Sequence, residues 1–154
     1  MHKVTPFLWF NTQAEEATLF YVSLFKNSKV VSINRMGENG PVMSTSFELD
    51  GQPVMALNGG PEFKFNEAFS FFVSCETQAE VDNLWGKLTA AGGEESQCGW
   101  LKDKFGLSWQ IVPVTLMELM SDPNPVKAQA VTQAMLKMHK IEVSVLQQAH
   151  ASAK

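Results

Sequence analysis

The chain has 154 residues, 45% of them hydrophobic and 18% charged, and a formal net charge of −4 at pH 7. That length fits one domain, or two small modules sharing a core, and the composition is that of a globular chain rather than a disordered one. The acid excess speaks against a nucleic-acid binder, which needs clustered Lys and Arg, and no apolar run reaches the length of a membrane span.

Val4 to Phe10 reads as a first strand, with Pro6 near its start where a missing N–H is tolerated. Thr12-Gln13-Ala14-Glu15 has the form of a capping box, and Ala17, Phe20, Tyr21, Leu24 and Phe25 continue as one helical stripe. Lys29 to Met36 and Val42 to Leu49 read as strands separated by a loop over Gly37 to Pro41. Asp50-Gly51 is a hairpin signal leading into a strand over Gln52 to Leu57.

The same order then returns. Ala68 to Cys75 is a strand, Thr77-Gln78-Ala79-Glu80 repeats the four-letter box, and Val81, Leu84, Trp85 and Leu88 carry a helix that Gly92-Gly93 ends. A short strand follows near Glu94 to Gln97. Next comes a strand–turn–strand stretch from Cys98 to Pro113, with its turn at Asp103 to Gly106. An identical tetrapeptide in an identical strand–helix–strand–strand–strand context predicts an α+β fold of two βαβββ modules. The linker between them, Asn58 to Asn66, holds Phe63 and Phe65, which either pack over a cleft or cover core.

After Pro113 the pattern is helical. Val114 to Met120 forms a short piece, Val126 to Met138 a longer one with Val131, Met135 and Met138 on one side, and Ile141, Val145 and Ala149 mark a last helix. The Met-rich stripe fits core or interface filler, and part of this tail is expected at a subunit interface. The boundaries read from the sequence are therefore 1–113 for the paired modules (about 1–58 and 68–113) and 114–154 for a helical extension of the same domain.

On the last strand Leu107, Trp109 and Ile111 face one way and Ser108, Gln110 and Val112 the other. Gln110 is thus an amide that is either satisfied by the protein or offered to a ligand. Thr5, Phe7 and Trp9 share one face of the first strand; Ser70, Phe72 and Ser74 share the matching face of its repeat. With Gln110, and with Trp100, Phe63 and Asn58 at the rim, these residues form a candidate ligand-binding set of large rings among a few polar groups. The alternative is that the rings simply fill the concavity.

Candidate catalytic chemistry is sparse. No Ser/His/Asp arrangement is legible. Cys98 has Lys102 and Lys104 nearby and is either a nucleophile or an inert thiol. Cys75 and Cys98 lack CxxC spacing and read as reduced thiols of a cytoplasmic protein. The start of the chain lacks the charged and apolar regions of a secretion signal. No glycine-rich dinucleotide turn is present, since Gly59-Gly60 leads into a Pro-Phe loop rather than a helix.

The run from Cys98-Gly99-Trp100-Leu101 through Asp103-Lys104-Phe105-Gly106-Leu107-Ser108-Trp109-Gln110-Ile111-Val112-Pro113 closely resembles the closing motif of the PhnB-like proteins. They belong to the vicinal oxygen chelate superfamily, also called glyoxalase/bleomycin resistance/dioxygenase. Asn58-Gly59-Gly60-Pro61 with Phe63 and Phe65, and Lys137-Met138 with Lys140-Ile141, look like the same family. Many of its members carry a demethylubiquinone methyltransferase label. The resemblance implies paired βαβββ modules in a cup-shaped mixed sheet with outer helices, and commonly a homodimer.

It also implies a divalent metal in the cup, with seats that fall near Thr5 and Ser70, at Gln110, and at Met55 or a neighbour. Neutral hydroxyl, thioether and amide groups offset an ion's dehydration poorly. The three histidines, His2, His139 and His150, lie off the strands that would face the cup. Glu48, sharing a face with Ser44 and Ser46, is the one strand carboxylate to watch, the alternative being a solvated outer face.

The expectation is therefore a protein without metal or cofactor that holds a small apolar or aromatic molecule in the sheet cavity. It is expected to be a cytoplasmic homodimer with no nucleic-acid or membrane partner. The alternatives are a superfamily lyase, isomerase or dioxygenase with an atypical metal site, or the methyltransferase of the inherited label.

Overall fold

The computed structural model describes residues 2–154. Residues up to Phe65 form one compact unit and Asn66–Lys154 a second.

The first unit runs β1 (Phe7–Phe10), α1 (Ala14–Leu24), β2 (Lys29–Arg35), β3 (Val42–Leu49) and β4 (Gln52–Asn58). Its sheet has the order β1-β4-β3-β2. β1 pairs parallel with β4, and the other pairs are antiparallel. The β3–β4 hairpin turns on Asp50 and Gly51, at φ 48° and 79°. Positive φ at both central residues gives the twist that flanking strands require. Leu8, Phe10, Thr45, Phe47, Val54 and Ala56 are buried on one side of this sheet. Against them α1 buries Ala14, Ala17, Thr18 and Tyr21. Thr18 and Thr45, both buried, satisfy each other across this interface at 2.7 Å between hydroxyl oxygens.

The second unit repeats the plan with β5 (Ser70–Cys75), α2 (Gln78–Thr89), β6 (Glu94–Glu95), β7 (Trp100–Lys102) and β8 (Ser108–Pro113). The strand order is β5-β8-β7-β6, again with one parallel pair, β5 with β8. The α+β expectation of two βαβββ modules is met, each module carrying its own four-stranded mixed sheet. Several boundaries move. β5 begins at Ser70 rather than Ala68, and the long tail helix ends at Met135 rather than Met138. β1 begins at Phe7 rather than Val4, and α2 gives way to a turn of 3-10 helix at Ala90–Gly92 before Gly93.

The two Thr-Gln-Ala-Glu segments do different work. At α2, Thr77 Oγ1 accepts the Glu80 N–H at 3.1 Å. Glu80 Oε2 accepts the Glu76 N–H at 2.9 Å, one residue before the position a closed box would use. At α1 the Thr12 box does not form, because Gln13 occupies the N-cap without a side-chain bond. There Asn58 Oδ1 takes the Ala14 N–H at 2.8 Å, and Asn58 Nδ2 donates to the Val42 carbonyl at 3.1 Å. A residue 44 positions away thus caps the first helix.

The tail belongs to the second unit. It comprises α3 (Val114–Met120), α4 (Pro125–Met135) and α5 (Val143–Ser152). Asn124 caps α4 through Oδ1, with Pro125 at the first helical position. Val112, Leu116, Val131, Ile141 and Leu146 form its buried cluster, with Met135 and Met138 packed against them. The phase expected for the last helix is wrong by one residue. Val145 is exposed and Leu146 is buried, while Ile141 enters the core from the loop ahead of the helix. Gln78 fastens this loop, its Nε2 donating to Ile141 O at 2.9 Å and its Oε1 accepting the Val143 N–H at 2.7 Å. The Cys98 and Gly99 amides donate to Met138 O and His139 O, each at 2.8 Å.

Candidate functional site

Both sheets bury the face that meets their helix, so the chemistry open to a ligand lies on the opposite faces. In the first unit the register sets Phe7 beside Met55 and Trp9 beside Leu57, with Ser46 and Ser44 next across. In the second it sets Ser70 beside Ser108, and Phe72 beside Gln110 with Trp100 next across. Phe7 of the β1·β4 pair and Phe72 of the β5·β8 pair thus occupy equivalent places, as do Met55 and Gln110. Both phenylalanines stand open to solvent, 54% and 52% exposed. Phe7 lies beside Met55, itself 38% exposed, so the two make a small contiguous apolar patch.

Gln110 is partly buried, and its Nε2 donates to Ser70 Oγ at 3.0 Å. The protein therefore satisfies one end of this amide. The remaining functional group on that end of the site, Trp100, is half-buried.

In the first unit Trp9 is braced from the linker. Its indole N–H donates to Gly60 O at 2.9 Å, and Phe63 meets it edge-on with ring centroids 4.9 Å apart. Gly59 lies so close beneath the indole that a Cβ there would fall 2.4 Å from Trp9 Cζ2, which is why the linker needs glycine at this point. Of the two linker rings, only Phe65 takes one of the roles read from the sequence. Phe65 packs edge-on against buried Phe10 at 5.2 Å and covers core, whereas Phe63 stays 63% exposed on Trp9. Thr5 lies ahead of β1, half-buried. Asn58 sits at the end of β4 with its amide engaged at both ends by Ala14 and Val42.

The metal seats implied by the resemblance hold Thr5 and Met55 in one unit and Ser70 and Gln110 in the other. Among the described residues no group of three or more His, Cys, Asp or Glu is placed to hold a metal ion. Glu48 lies on the open face of its sheet, 3.5 Å from the Lys29 ammonium. His139 Nδ1 lies 2.8 Å from Ser96 O, and His150 Nε2 lies 2.6 Å from Asp122 Oδ2. The donor set does not fit a divalent ion.

The thiols divide clearly. Cys75 is fully buried, and desolvation, with Glu80 adding to it, pushes its pKa up to about 12. Cys98 is half-buried in a left-handed conformation at φ 59°. The lysines near it in sequence have other partners, Lys102 pairing with Glu67 and Lys104 lying over the Phe105 ring.

One feature that sequence reasoning missed is Asp103, 2% exposed in the turn between β7 and β8. Its Oδ1 accepts the Phe105 and Leu107 N–H groups at 2.9 and 3.0 Å, and its Oδ2 accepts the Trp109 indole N–H at 2.9 Å. The turn signal was visible, but its anchoring of a strand tryptophan was not.

A family model described as 3-demethylubiquinone-9 3-methyltransferase matches residues 2–112. Among solved structures, a putative 3-demethylubiquinone-9 3-methyltransferase, the PhnB protein of Bacillus cereus, is 39% identical. It covers 73% of this chain and 99% of its own, with a TM-score of 0.68. Protein PA1353 from Pseudomonas aeruginosa shares the fold at 19% identity and a TM-score of 0.61, over 73% of this chain and 98% of its own. No curated protein matches the chain.

Proposed function

We propose that this chain, which belongs to the PhnB-like family described as 3-demethylubiquinone-9 3-methyltransferase, binds a small, flat, largely apolar molecule without using a metal. The observation that carries the reading is the equivalence of Phe7 and Phe72. Each unit keeps a solvent-exposed ring at the same register position on the face away from its helix. Phe72 and Trp100 supply apolar area, and the Gln110–Ser70 pair supplies the few polar groups that orient a ligand. Phe7 and Trp9, braced by Phe63, offer the matching surface in the first unit. Thr5 and Asn58 lie at its margins.

The metal-free part of the reading rests on the donor chemistry at the implied seats, not on any missing ion. The chain is further read as a cytoplasmic homodimer. Met117, Leu136 and Val145, all exposed on or beside the tail helices, supply apolar surface for a second copy. Among the described residues no helix is long and apolar enough to cross a membrane.

Binding is tested by titrating 8-anilinonaphthalene-1-sulfonate and a panel of aromatic metabolites while following tryptophan fluorescence. Saturable quenching is expected, weakened about tenfold by Phe72→Ser or Gln110→Ala, as for losing one well-packed contact. No saturable change with any compound would refute the reading. Sedimentation equilibrium at the mass of one chain would refute the dimer.

The family description favours a second reading, a methyltransferase. Each sheet has a single parallel pair rather than a doubly wound core, and the glycine-rich linker leads into no helix. Calorimetry with S-adenosylmethionine separates the two, heat of binding being expected only from a methyltransferase.

A further inference from the structure

A hollow of about 160 Å³ lies within the second unit, bounded by Glu67, Glu94, Glu95, Trp100, Lys102 and Ser108, with Ser96 and Leu101 completing its wall. Its space equals that of about five water molecules, far below what a drug-sized ligand needs. Ser108 is 1% exposed, and its Oγ is a buried side-chain oxygen without a hydrogen-bond partner in the structure. Buried hydroxyls are almost always paired, so an unpaired one in the wall of a hollow marks a place where a ligand atom belongs.

The electrostatics give that ligand its sign. Glu67 and Glu94 act on the one ammonium of the hollow, Lys102, and Glu95 adds a third carboxylate to the lining. Lys102 is paired with Glu67, and the Glu67 carboxyl is held below its ordinary pKa chiefly by that bond. Glu95 accepts the Trp85 indole N–H at 2.6 Å through Oε1. Glu94 acts on Lys102 through its charge alone. The strand register aligns Glu94, Lys102 and Ser108 in one row across β6, β7 and β8.

We propose that this hollow binds a small alkylammonium ion. Such a head carries one positive charge and three N–H donors, meeting the Ser108 oxygen and the surplus carboxylates, while Trp100 offers its ring to the cation or its alkyl group. A metal ion fits less well, because these carboxylates do not converge into a chelating group. An anion would meet a surplus of negative charge. The hollow shares Trp100 with the ligand face proposed above and adjoins its Ser70 through Ser108, so the inference rests in part on that reading; ammonium binding without aromatic quenching, or the reverse, tells the two apart.

The test is a titration of the isotope-labelled full chain with ethylammonium chloride, followed by amide chemical shifts, against sodium chloride at matched ionic strength. Saturable shifts are expected at residues 94–96, 100–102 and 108, with sodium chloride reproducing none of them. Glu94→Gln, an isosteric change at an exposed edge position, is expected to weaken binding about tenfold. Ser108→Ala is expected to weaken it several-fold, and the dispersion of each spectrum reports whether the variant is folded. Linear shifts, shifts shared with sodium chloride, saturation centred elsewhere, or affinity unchanged in both folded variants would each overturn the proposal.

Discussion

Trp109 hangs its indole N–H on the buried carboxylate of Asp103, 2.9 Å away, so a turn residue fixes the side chain of the strand that follows it. The same carboxylate collects the Phe105 and Leu107 amides. Removing it strands three donors, two of them in buried contacts, and an unpaired buried donor costs roughly 1–3 kcal/mol. Asp103→Ala is expected to lower stability by about 3 kcal/mol or more in urea unfolding, with an unchanged m-value marking a true stability loss. Asp103→Asn, which keeps an acceptor oxygen, should lose less. Equal stability of Asp103→Ala and wild type would contradict the assigned role.

The two helix starts make a paired prediction. Asn58→Ala removes the group that caps α1 and is expected to cost about 1–2 kcal/mol, as lost caps do. Thr12→Ala touches no bond in the structure and should stay within about 0.5 kcal/mol. Thr77→Ala, at the working cap of α2, should cost about 1 kcal/mol. The opposite ranking of Thr12 and Asn58 would mean that the sequence-local box forms after all.

These helix starts also show what a sequence can and cannot convey. Strand–helix order, the Asp50-Gly51 turn and the register that equates Phe7 with Phe72 all follow from local pattern and repetition, and they were legible. Which of two identical tetrapeptides forms a cap was not, because Asn58 reaches α1 only through the β1·β4 pairing. Asp103 and Ser108 were hidden for a similar reason. One is satisfied and the other left unsatisfied by groups that only the fold brings near. The exposure of Phe72 and the half-burial of Trp100 likewise depend on the packing of the sheet, so the choice between open rings and filled concavity could not be read from alternation alone.

Cys75 yields a pH prediction. Its thiol ionises near pH 9 in an unfolded chain and near 12 when buried. The folded protein then holds a proton that the unfolded one has released, and stability falls as pH rises between those values. The slope attributable to this group is at most about 1.4 kcal/mol per pH unit. Cys75→Ala, compared with wild type from pH 8 to 11, should show a shallower loss. At neutral pH a thiol-reactive chromophore should leave Cys75 untouched in the native protein and reach it in guanidinium. Rapid native labelling of both thiols would disprove the burial argument.

The phase of α5 is the remaining point at which local pattern and packing disagree. Leu146 is fully buried in the cluster with Leu116, Val131 and Ile141, whereas its neighbour Val145 is exposed. Truncating a buried leucine loses transfer free energy and leaves a cavity, together about 2–5 kcal/mol. Leu146→Ala is therefore expected to destabilise the chain strongly. Val145→Ala should change the unfolding midpoint little at low protein concentration, where association does not contribute. Because the same cluster reaches Val112 at the end of β8, the Leu146→Ala loss should spread. Hydrogen exchange is expected to speed up in α3 and α4 as well as in α5. Exchange confined to α5 would show that the tail packs as a loose appendage rather than as part of the second unit's core.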